Sequence, residues 1–199
     1  MLSRFAKHLC VIPCLLVLVF GCGEEKGAGP TPTAASWSIQ SSGVPFGSVW
    51  SASSSDIFAV GTRGTIRHFD GSNWKAMKSA VASDLHGVWG SSGSDVFAVG
   101  QYKTVLHYDG ASWKPMGLET NAFLYRLLAV WGSSSADVFV VGESGAIFHY
   151  NGVRWTQMES GQLANLFGIW GSTGTNVFVV GTGGIVLHYD GNSWVEMTG

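Results

Sequence analysis

The chain has 199 residues, of which 46% are hydrophobic and only 12% charged, and its formal net charge is -2. No basic run or basic patch appears, which argues against a nucleic-acid partner. The three cysteines, Cys10, Cys14 and Cys22, all lie near the start, so the rest of the chain has no disulfide framework and depends on its core.

Residues 1–21 have the pattern of a signal peptide. Arg4 and Lys7 precede an apolar stretch from Leu9 to Phe20, which is too short for a membrane span and suited to the core of a secretory signal. Export is the prediction. Removing this segment would leave nine basic and thirteen acidic side chains.

The segment Val19-Phe20-Gly21-Cys22 resembles the lipobox of bacterial lipoproteins. In that family the cysteine thiol is acylated and the signal is cut before it. The resemblance implies that Cys22 carries lipid and anchors the protein to a bacterial membrane. Gly23 in place of Asp favours the outer membrane or cell surface, by the sorting rule of enterobacterial lipoproteins. Ordinary secretion and an uncleaved anchor are the alternatives.

Residues 22–36 change in composition to Gly, Pro, Thr, Ala and Glu and show no apolar periodicity. Such a composition predicts a flexible tether. A lipid on Cys22 would then hold the following domain a few nanometres from the bilayer.

Residues 37–199 contain four copies of one unit. The units open on Val49-Trp50, Val88-Trp89, Val130-Trp131 and Ile169-Trp170, at spacings of 39, 42 and 39 residues. They close on Trp74, Trp113, Trp155 and Trp194. A period near 40 residues with four short strands is typical of propeller blades, because a single blade cannot bury both faces of its sheet. We therefore predict an all-β fold, a β-propeller of about four four-stranded antiparallel blades.

The third unit illustrates the pattern, with strands predicted over residues 128–132, 137–142, 146–150 and 154–158. The second strand is almost continuously apolar, as expected of a strand covered on both faces. Asn151-Gly152 predicts a two-residue hairpin between the third and fourth strands. The fourth strand carries more polar residues and is predicted to be the outer edge.

One strand is surplus to this count. Residues 36–43 match a fourth strand, which makes five fourth strands for four sets of the first three. A four-bladed ring or near-ring is the preferred arrangement. An open arc from a longer protein, and two chains that complete each other, are the alternatives.

Residues that recur in every unit are interpreted as scaffold. A histidine recurs on the third strand, and we expect a structural hydrogen-bond partner and neither a metal ligand nor a catalytic base; the four are His68, His107, His149 and His188. No metal or cofactor is predicted. An Asp or Asn opens each second strand and is expected to cap a turn, at Asp56, Asp95, Asp137 and Asn176. The tryptophans, including Trp50, Trp89, Trp131 and Trp170, are expected mostly in the core, with stacking on sugar rings as the alternative.

The repeated phrases V-W-G-S-S, D-V-F-A-V-G and H-Y-D-G resemble the bacterial BNR-like and WD/YVTN-like β-propellers over Trp37 to Gly199. The chain departs from the sialidase Asp-box, because Asp190 and Gly191 are adjacent. The arginines after the signal, Arg63, Arg67, Arg126 and Arg154, form no recognisable catalytic triad. The expectation is a protein without enzymatic activity.

Functional residues are sought where the units differ, because repeated residues build the scaffold and loops carry function. The candidates for ligand binding are Arg63, Arg67, Tyr102, Lys103, Arg126 and Glu143, together with an insertion at residues 118–125. The preferred hypothesis is a lipid-anchored binding or scaffold module of the cell envelope, with a protein or glycan ligand. The alternatives are a lectin with one aromatic site per blade and a BNR-like glycan-active hydrolase or lyase, which would need convergent carboxylates.

Overall fold

A computed structural model of the protein describes residues 43–118 and 126–197. The predicted signal peptide, Cys22 and tether lie outside the described residues, as do residues 119–125 of the insertion. The described chain folds into strands and short 3-10 turns, and it contains no helix long and apolar enough to cross a membrane.

In the described residues, sixteen strands form four antiparallel sheets of four strands. The first blade consists of β1 (Phe46–Ser53), β2 (Asp56–Gly61), β3 (Ile66–Phe69) and β4 (Trp74–Met77). The second consists of β5 (Leu85–Ser92), β6 (Asp95–Gly100), β7 (Val105–Tyr108) and β8 (Trp113–Pro115). The third consists of β9 (Leu127–Ser134), β10 (Asp137–Gly142), β11 (Ile147–Tyr150) and β12 (Trp155–Met158). The fourth consists of β13 (Leu166–Thr173), β14 (Asn176–Gly181), β15 (Val186–Tyr189) and β16 (Trp194–Glu196).

Within each sheet the strands lie in chain order, so the fourth strand is the edge, and the prediction of four-stranded antiparallel blades is confirmed. The predicted Asn151-Gly152 hairpin is wrong in one respect, because its loop spans the four residues 151–154. Oδ1 of Asn151 accepts hydrogen bonds from the backbone N–H groups of Val153 and Arg154, both at 3.0 Å. This side-chain bridge holds a longer loop than a two-residue turn.

Each blade has a forward face, which packs on the next blade, and a rear face, which packs on the preceding one. Phe139 and His149 are cross-strand neighbours on the forward face of the third blade, with ring centroids 4.4 Å apart. Phe148 lies on the rear face and is 1% exposed. The core therefore consists of three apolar layers between blades, as expected of strands covered on both sides.

One aromatic contact recurs at all three interfaces. The tryptophan that begins the fourth strand packs edge-on against the phenylalanine in the second strand of the preceding blade. The centroid separations are 6.2 Å for Phe58 and Trp113, 6.4 Å for Phe97 and Trp155, and 6.3 Å for Phe139 and Trp194. Such edge-to-face pairs add to the free energy gained by burying the rings.

In the first three blades, the tryptophan of the first strand lies over a glycine of the next blade. A Cβ built on Gly90 would lie 2.7 Å from Cη2 of Trp50, and one on Gly132 would lie 2.7 Å from Cη2 of Trp89. At Gly171 the separation from Cη2 of Trp131 would be 2.5 Å. No real Cβ tolerates such distances, so this contact requires glycine.

The four blades form an open arc, and the preferred expectation of a ring or near-ring is wrong. Trp170, which would have to lie against the first blade in a closed ring, is 60% exposed. The first blade has Ser51 where the others have the glycine that receives the indole. The open arc, which the sequence left as an alternative, is what forms.

Antiparallel strands place the loops at two ends of the arc. We call one end the linker end; it carries the turns between second and third strands and the linkers that join consecutive blades. Three of these turns contain a 3-10 turn, at Thr62–Gly64, Glu143–Gly145 and Thr182–Gly184. The opposite end carries the other two turns of each blade.

Candidate functional site

The repeated histidine of each blade makes a hydrogen bond within its own blade. Its Nε2 lies 2.6 Å from Oδ1 of the aspartate that opens the second strand in His68–Asp56, His107–Asp95 and His149–Asp137. In the fourth blade His188 Nε2 lies 2.7 Å from Oδ1 of Asn176. The imidazole N–H donates, since an amide or carboxylate oxygen accepts. Asparagine makes the same bond, so the contact does not require a negative charge.

The prediction that these aspartates cap turns is therefore wrong. The turn between the first and second strands is bridged by serine, as where the Ser94 N–H donates to Ser92 Oγ at 3.4 Å. The aspartate of the His-Tyr-Asp-Gly phrase is the capping residue, because the N–H groups of Ala111 and Ser112 donate to Oδ1 of Asp109. Hydrogen bonds from Lys114 and from these N–H groups hold the pKa of Asp109 well below its usual value.

In the second and third blades, a serine hydroxyl also donates a hydrogen bond to the aspartate that opens the second strand. Ser133 Oγ donates to Oδ2 of Asp137, whose Oδ1 binds His149. The carboxylate therefore stands between hydroxyl and imidazole, so the histidine is not placed to take a proton from the serine, as a nucleophile would require. Among residues 43–118 and 126–197, no three His, Cys, Asp or Glu side chains lie close enough together to hold a metal ion. The arrangement supports a structural role.

The repeated tryptophans are mostly packed between blades. Trp113 is 4% exposed and Trp155 7%, and Trp50, Trp89 and Trp131 are half-buried under the next blade. A sugar ring needs an open aromatic face. In the described part of the chain the strongly exposed tryptophan is Trp170, so the geometry does not provide one equivalent aromatic site per blade.

At the linker end, a side chain clamps neighbouring blades at two of the three junctions. Asp84, in the linker to the second blade, accepts from the Arg63 backbone N–H at 2.8 Å, and its carbonyl accepts from the Gln101 N–H at 2.9 Å. Asn165 repeats this between the third and fourth blades, with bonds to the N–H groups of Ser144 at 3.1 Å and Thr182 at 2.8 Å. Each clamp joins the turns of two consecutive blades.

Among the described residues, the junction between the second and third blades shows no such side-chain clamp. Arg126 occupies the position of Asp84 and Asn165, and its guanidinium, a donor without acceptor capacity, cannot take a bond from a backbone N–H. Its Nη1 instead lies 3.5 Å from Oε1 of Glu143 in its own blade. The side chains of Arg126 and Glu143 are 49% and 30% exposed, so the pair is open to water.

The turn that faces this junction is strained. Tyr102 and Lys103 both have positive φ, 55° and 58°. At the second position the other three blades have glycine, which reaches this region without strain, whereas other residues pay about 1–2 kcal/mol. Tyr102 is 62% exposed. Strained, exposed residues held by a rigid framework are typical of binding sites.

His86 adds a buried polar atom beside the same junction. Its Nε2 is buried and has no hydrogen-bond partner. Burial lowers the pKa of His86, and the positive charge of Arg126 lowers it further, while Asp84 and Glu143 act in the opposite direction. The equivalent positions in the other blades are Gly47, Leu128 and Phe167, so this histidine is not part of the repeated scaffold.

Four of the six predicted ligand-binding residues therefore belong to one junction: Tyr102, Lys103, Arg126 and Glu143. We call these four residues and His86 the junction site. Arg63 lies at the linker end of the neighbouring junction, and Arg67 lies mid-strand on the rear face of the first blade. His86 is not among the residues predicted from the sequence; the available signal is that it is the one histidine after residues 1–21 that falls outside the repeated phrase.

The fold resembles solved β-propellers at low sequence identity. A structure described as YCF48 bound to D1 peptide superposes with a TM-score of 0.61 and 15% identity, covering 78% of this chain and 54% of that one. YCF48 from Cyanidioschyzon merolae gives a TM-score of 0.59 and 15% identity, covering 77% and 56%. The chain thus spans little more than half the length of these proteins. No protein-family model and no curated protein sequence matches it. The likeness establishes a β-propeller repeat fold.

Proposed function

We propose that the protein is a non-enzymatic binding or scaffold module that holds a segment of a partner protein at the junction site. One observation carries the proposal: four of the residues that break the repeat are concentrated at a single junction, where the described residues show no side-chain clamp between blades and the facing turn is strained. A propeller of similar fold has been solved with a bound peptide, which supports a protein ligand.

The chemistry of the junction site suits an extended polypeptide. Tyr102 offers an exposed aromatic ring with a hydroxyl, and tyrosine and arginine are enriched among residues that dominate protein interfaces. Arg126 and Glu143 present both charges, and their solvent-exposed pairing costs little to exchange for bonds to a ligand. His86 lies beside this pair, but its Nε2 is buried, so the exposed groups that a ligand can contact are those of Tyr102, Arg126 and Glu143.

A library of displayed random peptides tests the proposal. We expect peptides that bind the unmodified protein and lose at least about tenfold in affinity, equivalent to about 1.4 kcal/mol, on the Tyr102→Ala substitution. The matched control is Val153→Ala, because Val153 is 85% exposed at the opposite end of the third blade. Failure to enrich any peptide, or equal binding by Tyr102→Ala, would refute the proposal.

Anchoring at the envelope is a separate part of the proposal and concerns residues outside the described range. The lipobox-like segment ending at Cys22 supports a lipid anchor in a bacterial membrane, with the outer membrane or cell surface as the destination. Radiolabelled palmitate should enter the unmodified chain and be absent from the Cys22→Ser variant. Label that persists in that variant would exclude Cys22 as the acylated residue.

A glycan remains the second candidate ligand class, supported by the exposed indole of Trp170. Because the other tryptophans of the described residues are packed, we expect a single glycan site at Trp170 and not one in each blade. Calorimetry with any glycan that binds would therefore give a stoichiometry near one, lost on Trp170→Ala and retained on Tyr102→Ala.

A further inference from the structure

A cavity of about 710 Å³ opens at the linker end of the first blade. It is lined by the turn between β2 and β3, by parts of β3 and β4, and by residues 78–82 of the following linker. Three of its lining side chains are cationic, those of Arg63, Arg67 and Lys78, and none is acidic. All three are charged at neutral pH, so the lining is positive.

The three cations depart from the repeat. Arg67 stands where the other blades have an apolar residue, and Arg63 stands where they have an uncharged one. Lys78 stands where the third linker has the acidic Glu159. The equivalents are Leu106, Phe148 and Leu187 for Arg67, and Tyr102, Ser144 and Gly183 for Arg63. The positive charge of the cavity is therefore a property of this blade and not of the repeated framework.

No carboxylate among the described residues forms an ion pair with any of these three side chains. Two acidic residues flank the cations in the chain, and both have other partners. Asp70 lies 2.6 Å from Nζ of Lys75. Asp84 accepts from the Arg63 backbone N–H at 2.8 Å and from Nε2 of Gln101 at 3.3 Å. Like charges that share a cavity without a counterion repel each other, and a bound anion relieves that repulsion.

The linker wall of the cavity is held in place. A Cβ built on Gly64 would overlap the carbonyl oxygen of Val81 and lie 2.8 Å from Oγ of Ser79, so the turn and the linker are in direct contact. Ser79 is buried, and its Oγ donates to the Val81 carbonyl at 3.0 Å. Ala80 holds a φ of 64° between them, where the third linker has Gly161. A site that is already formed loses less conformational freedom when a ligand binds.

We propose that this cavity binds the phosphate group of a phosphate monoester. A phosphate monoester carries close to two negative charges at pH 7, which matches several cations better than a carboxylate does. The planar guanidinium groups of Arg63 and Arg67 suit paired hydrogen bonds to phosphate oxygens. Uncharged lining residues such as Val44 and Met77 leave room for the rest of the ester. None of the lining residues belongs to the junction site, so the inference does not depend on peptide binding.

Calorimetric titration of inorganic phosphate into the full chain tests the site. We expect saturable binding with one phosphate per chain. Arg67→Leu, which copies Leu106, should weaken binding at least about tenfold, because it removes one of the charged donors. Lys78→Gln should have a similar effect, and it changes an exposed linker residue and leaves the strands intact. The matched control is Arg154→Leu, which removes the same charge from an exposed loop of the third blade and should not alter binding.

Two further probes identify the source of the phosphate. Glycerol 3-phosphate represents a soluble ester, and vesicles of phosphatidylcholine with and without phosphatidic acid represent a lipid headgroup. Any lipid anchor on the chain contributes equally to both kinds of vesicle. A preference for phosphatidic acid that Arg67→Leu abolishes would support the site and identify a lipid headgroup. Binding of glycerol 3-phosphate without that preference would support the site and identify a soluble ester.

Three results would overturn the proposal. The unmodified chain could show no saturable binding of inorganic phosphate. Arg67→Leu and Lys78→Gln, each shown folded by cooperative unfolding, could bind phosphate as tightly as the unmodified chain. Arg154→Leu could lose as much affinity as Arg67→Leu, which would mean that phosphate responds to the net charge of the protein and not to this cavity.

Discussion

The junction between the second and third blades has the same buried contacts as the other two junctions, and it differs from them at the linker end. All three bury a tryptophan over a glycine and set a closing tryptophan edge-on against a phenylalanine. At the surface, Asp84 and Asn165 clamp two junctions, while Arg126 leaves the third unclamped beside a strained turn. The interfaces between blades are therefore built from the repeated layers, and the departures from the repeat at this junction lie at its linker end.

Truncating a side chain in the buried layers should reduce the free energy of unfolding more than any other change considered below. Phe139→Ala should cost about 3–5 kcal/mol of unfolding free energy, because Phe139 is 1% exposed and contacts four aromatic rings. The matched variant Phe178→Ala, on the uncovered forward face, should cost less than half as much. Chemical denaturation measures both. Equal costs would mean that the fourth blade's forward face is covered in solution.

The glycine contact provides the second comparison. Gly132→Ala should destabilise by about 1–3 kcal/mol, because the added Cβ would lie 2.7 Å from Trp89 Cη2 and 2.8 Å from the Asp137 carbonyl oxygen. Gly117→Ala meets nothing within 4 Å and should leave stability nearly unchanged. Thermal unfolding of the pair gives the difference, and a tolerated Gly132→Ala would disprove the requirement for glycine.

Two substitutions at Asp137 separate the contribution of its hydrogen bond with His149 from the contribution of its negative charge. Asp137→Ala should cost about 1–3 kcal/mol, since it removes the acceptor of the His149 Nε2–H. Asp137→Asn should cost less than about 0.5 kcal/mol, because Asn176 makes the equivalent bond to His188 at 2.7 Å in the fourth blade. If the asparagine variant were as unstable as the alanine variant, the charge of Asp137 would be essential after all.

The lowered pKa of His86 predicts a smaller effect on the free energy of unfolding, one that depends on pH. Its pKa is lowered in the fold, so the unfolded chain binds the proton more readily and protonation favours unfolding. Its contribution to stability is fully present above its unfolded pKa of about 6.5 and is lost as the pH falls through its lower folded value. His86→Leu, which copies Leu128, should lack this loss of stability, so the pH–stability curves of the variant and the unmodified protein should diverge as the pH falls below about 6.5. Superimposable curves would contradict the assignment.

Much of the fold could be predicted from the repeat. The run Asp137 to Gly142 was predicted as a strand and is one, because its side chains are apolar on both faces. The pairing of His149 with Asp137 could not be read from the sequence, since it depends on a hairpin register that brings residues twelve apart together. The open arc could not be preferred over a ring for a related reason: the meaning of Ser51 appears only once Trp131 is seen over Gly171.

The candidate site, like the fold, could be predicted from the sequence only in part. Tyr102, Lys103, Arg126 and Glu143 could be selected because they differ from their equivalents in other blades. Their grouping at one junction depends on the antiparallel order, which brings a turn of one blade to the linker of the next. His86 went unnoticed because burial and its missing hydrogen-bond partner are properties of the packed structure.

We propose that the junction site gives up stability in favour of binding, and one variant tests this directly. Tyr102→Ser, Lys103→Gly and Arg126→Asn together would copy the clamped junction between the third and fourth blades. We predict that the free energy of unfolding rises by about 1–2 kcal/mol, through relief of the strained turn and a restored hydrogen bond, while affinity for the selected peptides falls at least about tenfold. A variant that binds those peptides as well as the unmodified protein, or that loses stability, would contradict the account.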